Sequence, residues 1–186
     1  MGEKVLAIIE KVIEKKEFWA LVGVFVGFLL AEVARFLRYR CRIHKLRSIL
    51  REELKNIPAQ IEQKKDIIRQ AIDQLKNRSV LPTSSVRVLQ TGYIENISEL
   101  YTHLSERERN CLHVIYERIR IADDLLDNFE SKFLTIVQEG IITDPYQFYF
   151  ARFSDTLKSY DIVQELIKSY LAGNPEDVFS KKWTSP

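Results

Sequence analysis

Cysteine, histidine, glycine and proline are all scarce in this 186-residue chain. Its two cysteines, Cys41 and Cys111, lie far apart with no CxxC or Cys/His spacing, so the sequence supports neither a disulfide framework nor a zinc site. Six glycines and five prolines are too few for a disordered chain or for the many turns of an all-β protein. Apolar residues recur instead at helical spacing, which predicts an all-α protein.

The motifs of common catalytic sites are missing as well. The chain contains no HExxH, GxSxG, P-loop or GxGxxG sequence. Cys111 and His113 are two residues apart and do not form a convincing pair of nucleophile and base. We therefore expect a protein that is not an enzyme and that uses no cofactor.

One acidic string has an enzyme-like pattern. Asp123, Asp124 and Asp127 form the sequence DDxxD, which resembles the magnesium-diphosphate motif of isoprenoid synthases. This spacing puts at least two carboxylates on one helix face, as Mg²⁺ prefers. Those enzymes are much longer, however, and the second acidic motif that they need is missing here. A solvated helix face is the favoured interpretation, and a magnesium-diphosphate-binding membrane enzyme stays an alternative.

An apolar segment near the N-terminus raises the question of a membrane span. Fourteen residues from Phe18 to Ala31 carry no charge, and Glu32 and Arg35 follow. Extended to Leu37, the segment covers 20 residues, about 30 Å of helix, which matches the hydrocarbon core of a bilayer. The alternative is the buried helix of a soluble bundle.

The flanks of this segment favour a single-pass transmembrane helix over 18–38. Seven Lys or Arg residues follow or end the segment, whereas four lysines precede it and are offset by four glutamates. By the positive-inside rule the C-terminal side is cytosolic, so we expect an inner-membrane protein with a cytosolic C-terminal domain. No small-residue cleavage site follows, which disfavours a signal peptide. The predicted membrane-interface residues are Trp19, Arg35, Arg38, Tyr39, Arg40 and Arg42.

The net charge of about +2 hides an asymmetry along the chain. Residues 40–78 hold 11 Lys/Arg against 5 Asp/Glu, whereas residues 79–186 hold 11 against 16. Basic charge confined to the residues after an apolar segment suits the anionic lipid surface of the cytoplasmic leaflet. DNA-binding proteins spread positive charge over the binding domain, so we expect no DNA binding.

Beyond the span, the pattern predicts a basic stalk and a helical bundle of about four helices. We divide the chain into a short amphipathic extracytosolic segment (1–17), the span (18–38), basic amphipathic stalk helices (39–76), a helical cytosolic domain (84–173) and a tail (174–186). The stalk carries apolar residues at steps of three, four or seven, which is typical of a coiled coil or a bundle seam. The seam comprises Ile43, Leu46, Leu50, Leu54, Ile57, Ile61, Ile68 and Leu75. An intrachain seam and a self-associating stalk both remain open.

Local signals set the predicted helix boundaries. Pro58 should kink the stalk or begin a second helix there, with Asn56 as a possible cap. A short helix should run through Val88 and Leu89 toward Gly92, after a break around Pro82. Further signals are the capping box Ser105–Glu108, an end near Gly140, a restart with Asp144 as cap and Pro145 at the first position, and an end at Gly173.

A polar ridge on the central helix is the candidate ligand site. Arg109, His113 and Arg120 fall within about 40° of one another at 100° per residue, and Tyr116 lies at their edge. Cationic donors beside an aromatic face suit a nucleotide or another phosphate ligand. Arg107 and Arg118 form a parallel ridge. The structural alternative is a solvent-exposed helix face on which glutamates lie among these cations.

In overall plan, a span, a basic stem and a helical head, the chain resembles the small membrane-anchored effectors of type III CRISPR anti-phage defence. The resemblance implies a homo-oligomer that binds a cyclic oligoadenylate and acts at the membrane during phage infection. It carries over no individual ligand contact. We therefore expect a non-enzymatic membrane-anchored sensor or effector that binds an anionic ligand, with membrane lipid as a partner. The alternative is a coiled-coil scaffold or tether that oligomerises and docks a partner protein.

Overall fold

The structure is a computed structural model that describes residues 16–80, 85–175 and 178. The predicted segment 1–17, most of the predicted tail 174–186 and the break at Pro82 fall largely or wholly outside these residues. Helices make up 86% of the described residues, which contain no strand, and this confirms the all-α prediction. The helices are α1 (Lys16–Lys76), α2 (Thr91–Leu100), α3 (Glu106–Glu139) and α4 (Pro145–Leu171), with a 3₁₀ turn at Tyr101–His103.

The chain divides into two compact units, residues 1–45 and 46–186. In the first unit, no described side chain between Phe18 and Leu37 is buried, and the exposed fraction reaches 73% at Val24. The most apolar window of this helix has a mean hydropathy of 2.1. The described residues therefore do not bury this segment, as the alternative of a soluble bundle helix requires. The chain has one described helix that is long and apolar enough to cross a membrane.

The second unit is a helical domain in which the rest of α1 packs with the three later helices. The seam residues of this part of α1 are buried, as are large side chains of α3 and α4. They are Leu46, Leu50, Leu54, Ile57, Ile61, Ile68 and Leu75. Of the two alternatives for the seam, the structure therefore has the intrachain one.

Helix α1 continues through Pro58, so the predicted second helix with Asn56 as its cap is wrong. Proline inside a helix costs about 3 kcal/mol, because it removes one hydrogen bond and crowds the preceding turn. Leu54, Ile57 and Ile61 around it are all fully buried, and each contributes about 1.5–3 kcal/mol. Burial outweighs the local cost, and packing keeps the helix in one piece.

A polar cluster joins α1 to α4 beside this seam. The Lys65 ammonium, which is 7% exposed, donates to Asp161 at 2.7 Å, to Gln164 at 2.6 Å and to Glu62 at 3.0 Å. Burial lowers the pKa of Lys65, but the hydrogen bonds to Asp161 and Glu62 more than offset this and leave the pKa above its usual value. The ammonium therefore stays charged where α1 meets α4.

Helices α3 and α4 form an antiparallel hairpin. Phe129 meets Phe153 with ring centroids 4.9 Å apart, and Phe133 meets Tyr146 at 5.0 Å. The predicted boundaries are confirmed here, because the capping box at Ser105 is formed and Gly140 takes the left-handed conformation with φ of 63°. At the start of α4 the Asp144 carboxylate accepts the Gln147 N–H, and Pro145 follows the cap.

Helix α2 begins at Thr91, so the prediction that it runs through Val88 and Leu89 is wrong. The Gln90 side chain does not cap this helix. A side chain of another helix caps it instead. The buried Glu53 carboxylate of α1 accepts the Gly92 N–H at 2.5 Å and the Tyr93 N–H at 3.1 Å. A carboxylate at a helix N-terminus satisfies open donors and complements the helix dipole. The helix thus starts where Glu53 can reach.

Candidate functional site

The structure does not bring the six predicted ligand residues to one surface. The Arg109 guanidinium donates to the carbonyl oxygens of Tyr101 at 3.2 Å and Leu104 at 3.1 Å. It also lies 4.6 Å from the centroid of the Tyr101 ring. Arg109 thereby satisfies the end of the 3₁₀ turn that precedes α3, which is a structural task.

Arg120 is held by two acidic neighbours on the same helix. It reaches Glu117 at 2.6 Å and Asp124 at 2.9 Å, pairs three and four residues apart. The hydrogen bond from Arg120 lowers the pKa of Glu117. The charge of Arg120 is therefore balanced locally.

Tyr116 is buried and belongs to the Glu53 cluster. Its hydroxyl donates to Glu53 at 2.6 Å, and its ring stacks on Tyr93 with centroids 3.8 Å apart. Burial, together with the bond to Glu53, raises the pKa of Tyr116 far above its usual value. Tyr116, which was predicted at the edge of the ligand site, instead holds α2 against α1 and α3.

The remaining three predicted ligand residues lie in two different places on α3. Arg107 is exposed on the first turn of α3. His113 and Arg118 line a groove of about 760 Å³ between α3 and α4, which also contains Lys132 and Arg152. Sequence reasoning missed these last two, because Lys132 lies about three turns beyond Arg120, where the predicted ridge ends, and Arg152 comes from the facing helix. The antiparallel pairing of α3 and α4 was the signal that could have found them.

The groove combines apolar and charged side chains. Its apolar part includes Ile121, Leu125 and Phe148, and the Arg152 guanidinium lies 5.2 Å from the centroid of the Phe148 ring. The Arg118 guanidinium donates to the Ser159 hydroxyl across the groove at 3.1 Å. The site therefore presents cations fixed beside an apolar and aromatic surface.

Three acidic residues also line the groove, and each is already paired with a cation. Glu117 and Asp124 bind Arg120, and Asp155 lies 3.2 Å from Lys158. By contrast, no acidic partner within the described residues lies within ion-pair distance of Arg118, Lys132 or Arg152. The unbalanced charge of the groove is positive.

The DDxxD string lies in a network of cations. The buried Asp123 pairs with the buried Lys64 at 2.5 Å and accepts the Val88 N–H at 3.0 Å. Arg87 binds Asp127 at 2.6 Å and Asp124 at 3.1 Å. No group of three or more potential ligand residues that could hold a metal occurs within the described ranges. The aspartates thus bind the segment before α2 to α3, and the expected solvated face is only partly exposed.

A row of α1 side chains holds the same segment from the other side. Gln60 accepts the Leu89 N–H at 3.0 Å, and Lys64 donates to the Ser85 hydroxyl at 2.7 Å. Together with Glu53, these residues are seven and four positions apart and share one face of α1. The segment 85–93 has little regular structure before Thr91, so its polar groups depend on this row.

The predicted membrane-interface residues lie on the exposed part of α1. Arg35 pairs with Glu32 at 2.6 Å, and Arg38 donates to the Ala34 carbonyl at 3.3 Å. Arg40 lies 5.1 Å from the Phe36 ring centroid. Trp19 and Tyr39, near the two ends of the segment, are exposed. Arg42 is exposed as well.

In comparisons with known proteins, no family model, no curated protein and no solved structure matches this chain.

Proposed function

We propose that this chain is a membrane-anchored sensor or effector. Residues 18–38 span the inner membrane, and the helical domain stays on the cytosolic side, where it binds an anionic ligand. The carrying observation is the apolar segment from Phe18 to Leu37, which no other described residue buries. An uncovered apolar helix of 20 residues is costly in water and stable in a bilayer. The predicted homo-oligomer stays part of the proposal, and the mass of the detergent-solubilised chain measures it.

The resemblance to type III CRISPR effectors supports a nucleotide second messenger, such as a cyclic oligoadenylate, as one ligand to test. The alternative of a coiled-coil scaffold or tether loses its support. The apolar seam of the stalk, through which it would bind other chains, is buried within this chain. The enzyme alternative is weakened too, since Lys64 and Arg87 pair with its three aspartates. We do not propose either alternative.

The two native cysteines allow a direct test of topology. Cys41 is exposed and follows the span, whereas Cys111 is buried and stays unreactive in the folded domain. A membrane-impermeant maleimide should label Cys41 in inverted membrane vesicles and leave it unlabelled in intact cells. Recovery of the chain in the soluble fraction contradicts the span, and labelling from outside contradicts the orientation.

Because Cys41 lies next to the span, two variants that carry the thiol farther from the lipid surface serve as controls. In a Cys41→Ser background, Ser48→Cys puts a thiol at an exposed position of the helical domain, and it should behave as Cys41 does. Gly2→Cys, before the span, should show the opposite pattern. Denaturation should expose Cys111 in every sample, which confirms that the reagent is active.

A further inference from the structure

The groove between α3 and α4 carries positive charge that the rest of the described chain does not balance. Arg118, Lys132 and Arg152 line it without an acidic partner within the described residues, whereas its acids are paired with other cations. We propose that this groove binds an elongated organic phosphate, with at least two separated phosphate groups on an aromatic or apolar body. This inference rests on the proposed function, for which it names the ligand class and the site.

The spacing of the cations sets the length of the ligand. Arg118 and Lys132 are 14 residues apart on α3, about 21 Å at 1.5 Å per residue. Arg152 lies between them, because its neighbour Phe153 packs on Phe129. One phosphate cannot contact both ends of such a row. A ligand with charge along its length satisfies the row better than a lipid phosphate with charge at one end.

One end of the row is fixed in advance. The Ser159 hydroxyl accepts a hydrogen bond from Arg118 at 3.1 Å, so the guanidinium is positioned across the groove before a ligand arrives. Less side-chain freedom is then lost on binding. The remaining guanidinium donors match phosphate oxygens, and such charge-assisted hydrogen bonds are the stronger kind.

The middle of the groove suits the body of the ligand. Ile121, Leu125 and Phe148 supply an apolar surface, and Arg152 lies over the Phe148 ring. Aromatic rings and guanidinium planes both stack on planar groups such as nucleobases. Phosphate groups at the cations and a planar body between them therefore use the whole groove.

The test is calorimetric titration of the full chain in detergent micelles with three probes. Inorganic pyrophosphate carries adjacent charges and no body, farnesyl diphosphate has charge at one end of an apolar tail, and a 5′-phosphorylated tetranucleotide has charge along its length. We expect the tetranucleotide to bind at least tenfold more tightly than either diphosphate. Absence of tetranucleotide binding, or tighter binding of farnesyl diphosphate, overturns the inference.

Matched variants locate the binding. Arg118→Gln and Arg152→Gln should each weaken tetranucleotide binding about tenfold or more, whereas Arg107→Gln should change it less than twofold. Arg107 lies on the same helix and loses the same charge, but it does not line the groove. Circular dichroism checks that each variant is folded, and Lys132→Gln, at an exposed position, replaces any variant that is not.

The outcomes separate this inference from the proposed function. Equal loss in the Arg107 and Arg118 variants shows non-specific attraction and overturns the groove site, while the membrane topology stands on the cysteine labelling. Labelling that contradicts the span overturns the proposed function, whatever the titrations show.

Discussion

The buried ion pair between Lys64 and Asp123 gives the sharpest test of how this domain is held together. Their side chains are 4% and 1% exposed, and the charged atoms lie 2.5 Å apart. Replacing Lys64 with Met removes the cation and leaves the carboxylate in the interior, where it still accepts the Val88 N–H. We expect Lys64→Met to be strongly destabilising.

The magnitude follows from the cost of an uncompensated buried charge. Removing one partner of a buried pair costs about 3–5 kcal/mol, against a typical domain stability of about 5–15 kcal/mol. At about 4 °C per kcal/mol for a domain of this size, the melting temperature should fall by about 10–20 °C. The uncompensated charge thus removes a large share of the net stability.

A double-mutant cycle separates the pair from its surroundings. Lys64→Met with Asp123→Leu removes both charges and leaves the Val88 N–H without its carboxylate, which costs about 1–3 kcal/mol. This is well below the sum of two single losses of about 3–5 kcal/mol each. The measurement is the free energy of unfolding of the full chain in micelles, followed by circular dichroism in urea.

An exposed pair on the same helix is the control. Lys55 and Glu52 lie 2.7 Å apart with both side chains more than half exposed, so Lys55→Met should cost less than about 1 kcal/mol. If Lys64→Met costs no more than Lys55→Met, or if the single losses add in the double variant, the reasoning is wrong.

Two further predictions concern other contacts of α1. Gly92→Ala should lower the free energy of unfolding by about 1–3 kcal/mol, because the new Cβ would lie 2.8 Å from the buried Glu53 carboxylate. In a helix with open space at this position the same change stabilises. A raised melting temperature therefore contradicts the packing argument. Hydrogen bonds from Gln164 and then Lys65 hold the pKa of Glu62 below 4.5, so its contribution is complete above that pH and is lost as the pH falls through the lowered pKa. Glu62→Gln should therefore flatten the acid side of a plot of unfolding free energy against pH, and an unchanged acid slope counts against this contribution.

Short-range signals explain which parts of the fold could be predicted. The capping box at Ser105 and the Asp144–Pro145 start of α4 depend on residues within one turn, so the sequence contains all that decides them. The new helix at Pro58 and the start of α2 were wrongly predicted, because a packed seam and Glu53, about forty positions away, override the local pattern.

The candidate site was predictable only in part for the same reason. His113 from the predicted ridge and Arg118 from the parallel ridge both line the groove. Tyr116 was predicted at the edge of the same ridge as His113, yet its hydroxyl binds Glu53, 63 residues away in sequence. Helical periodicity fixes the side of the helix on which a residue lies, and the tertiary structure determines which partner it contacts there.

The wide separation between α1 and its partners affects the order in which the domain is completed during synthesis. Lys65 and Asp161, which bind each other, are 96 residues apart. At about 5–20 residues per second, α1 emerges from the ribosome roughly 5–20 s before α4 has been made. During that interval its apolar seam has no cover from α4, while α3 and α4, joined by a short loop, can pair as soon as they exist. The contacts between α1 and α4 therefore form last, and until then this part of the α1 seam is exposed to aggregation.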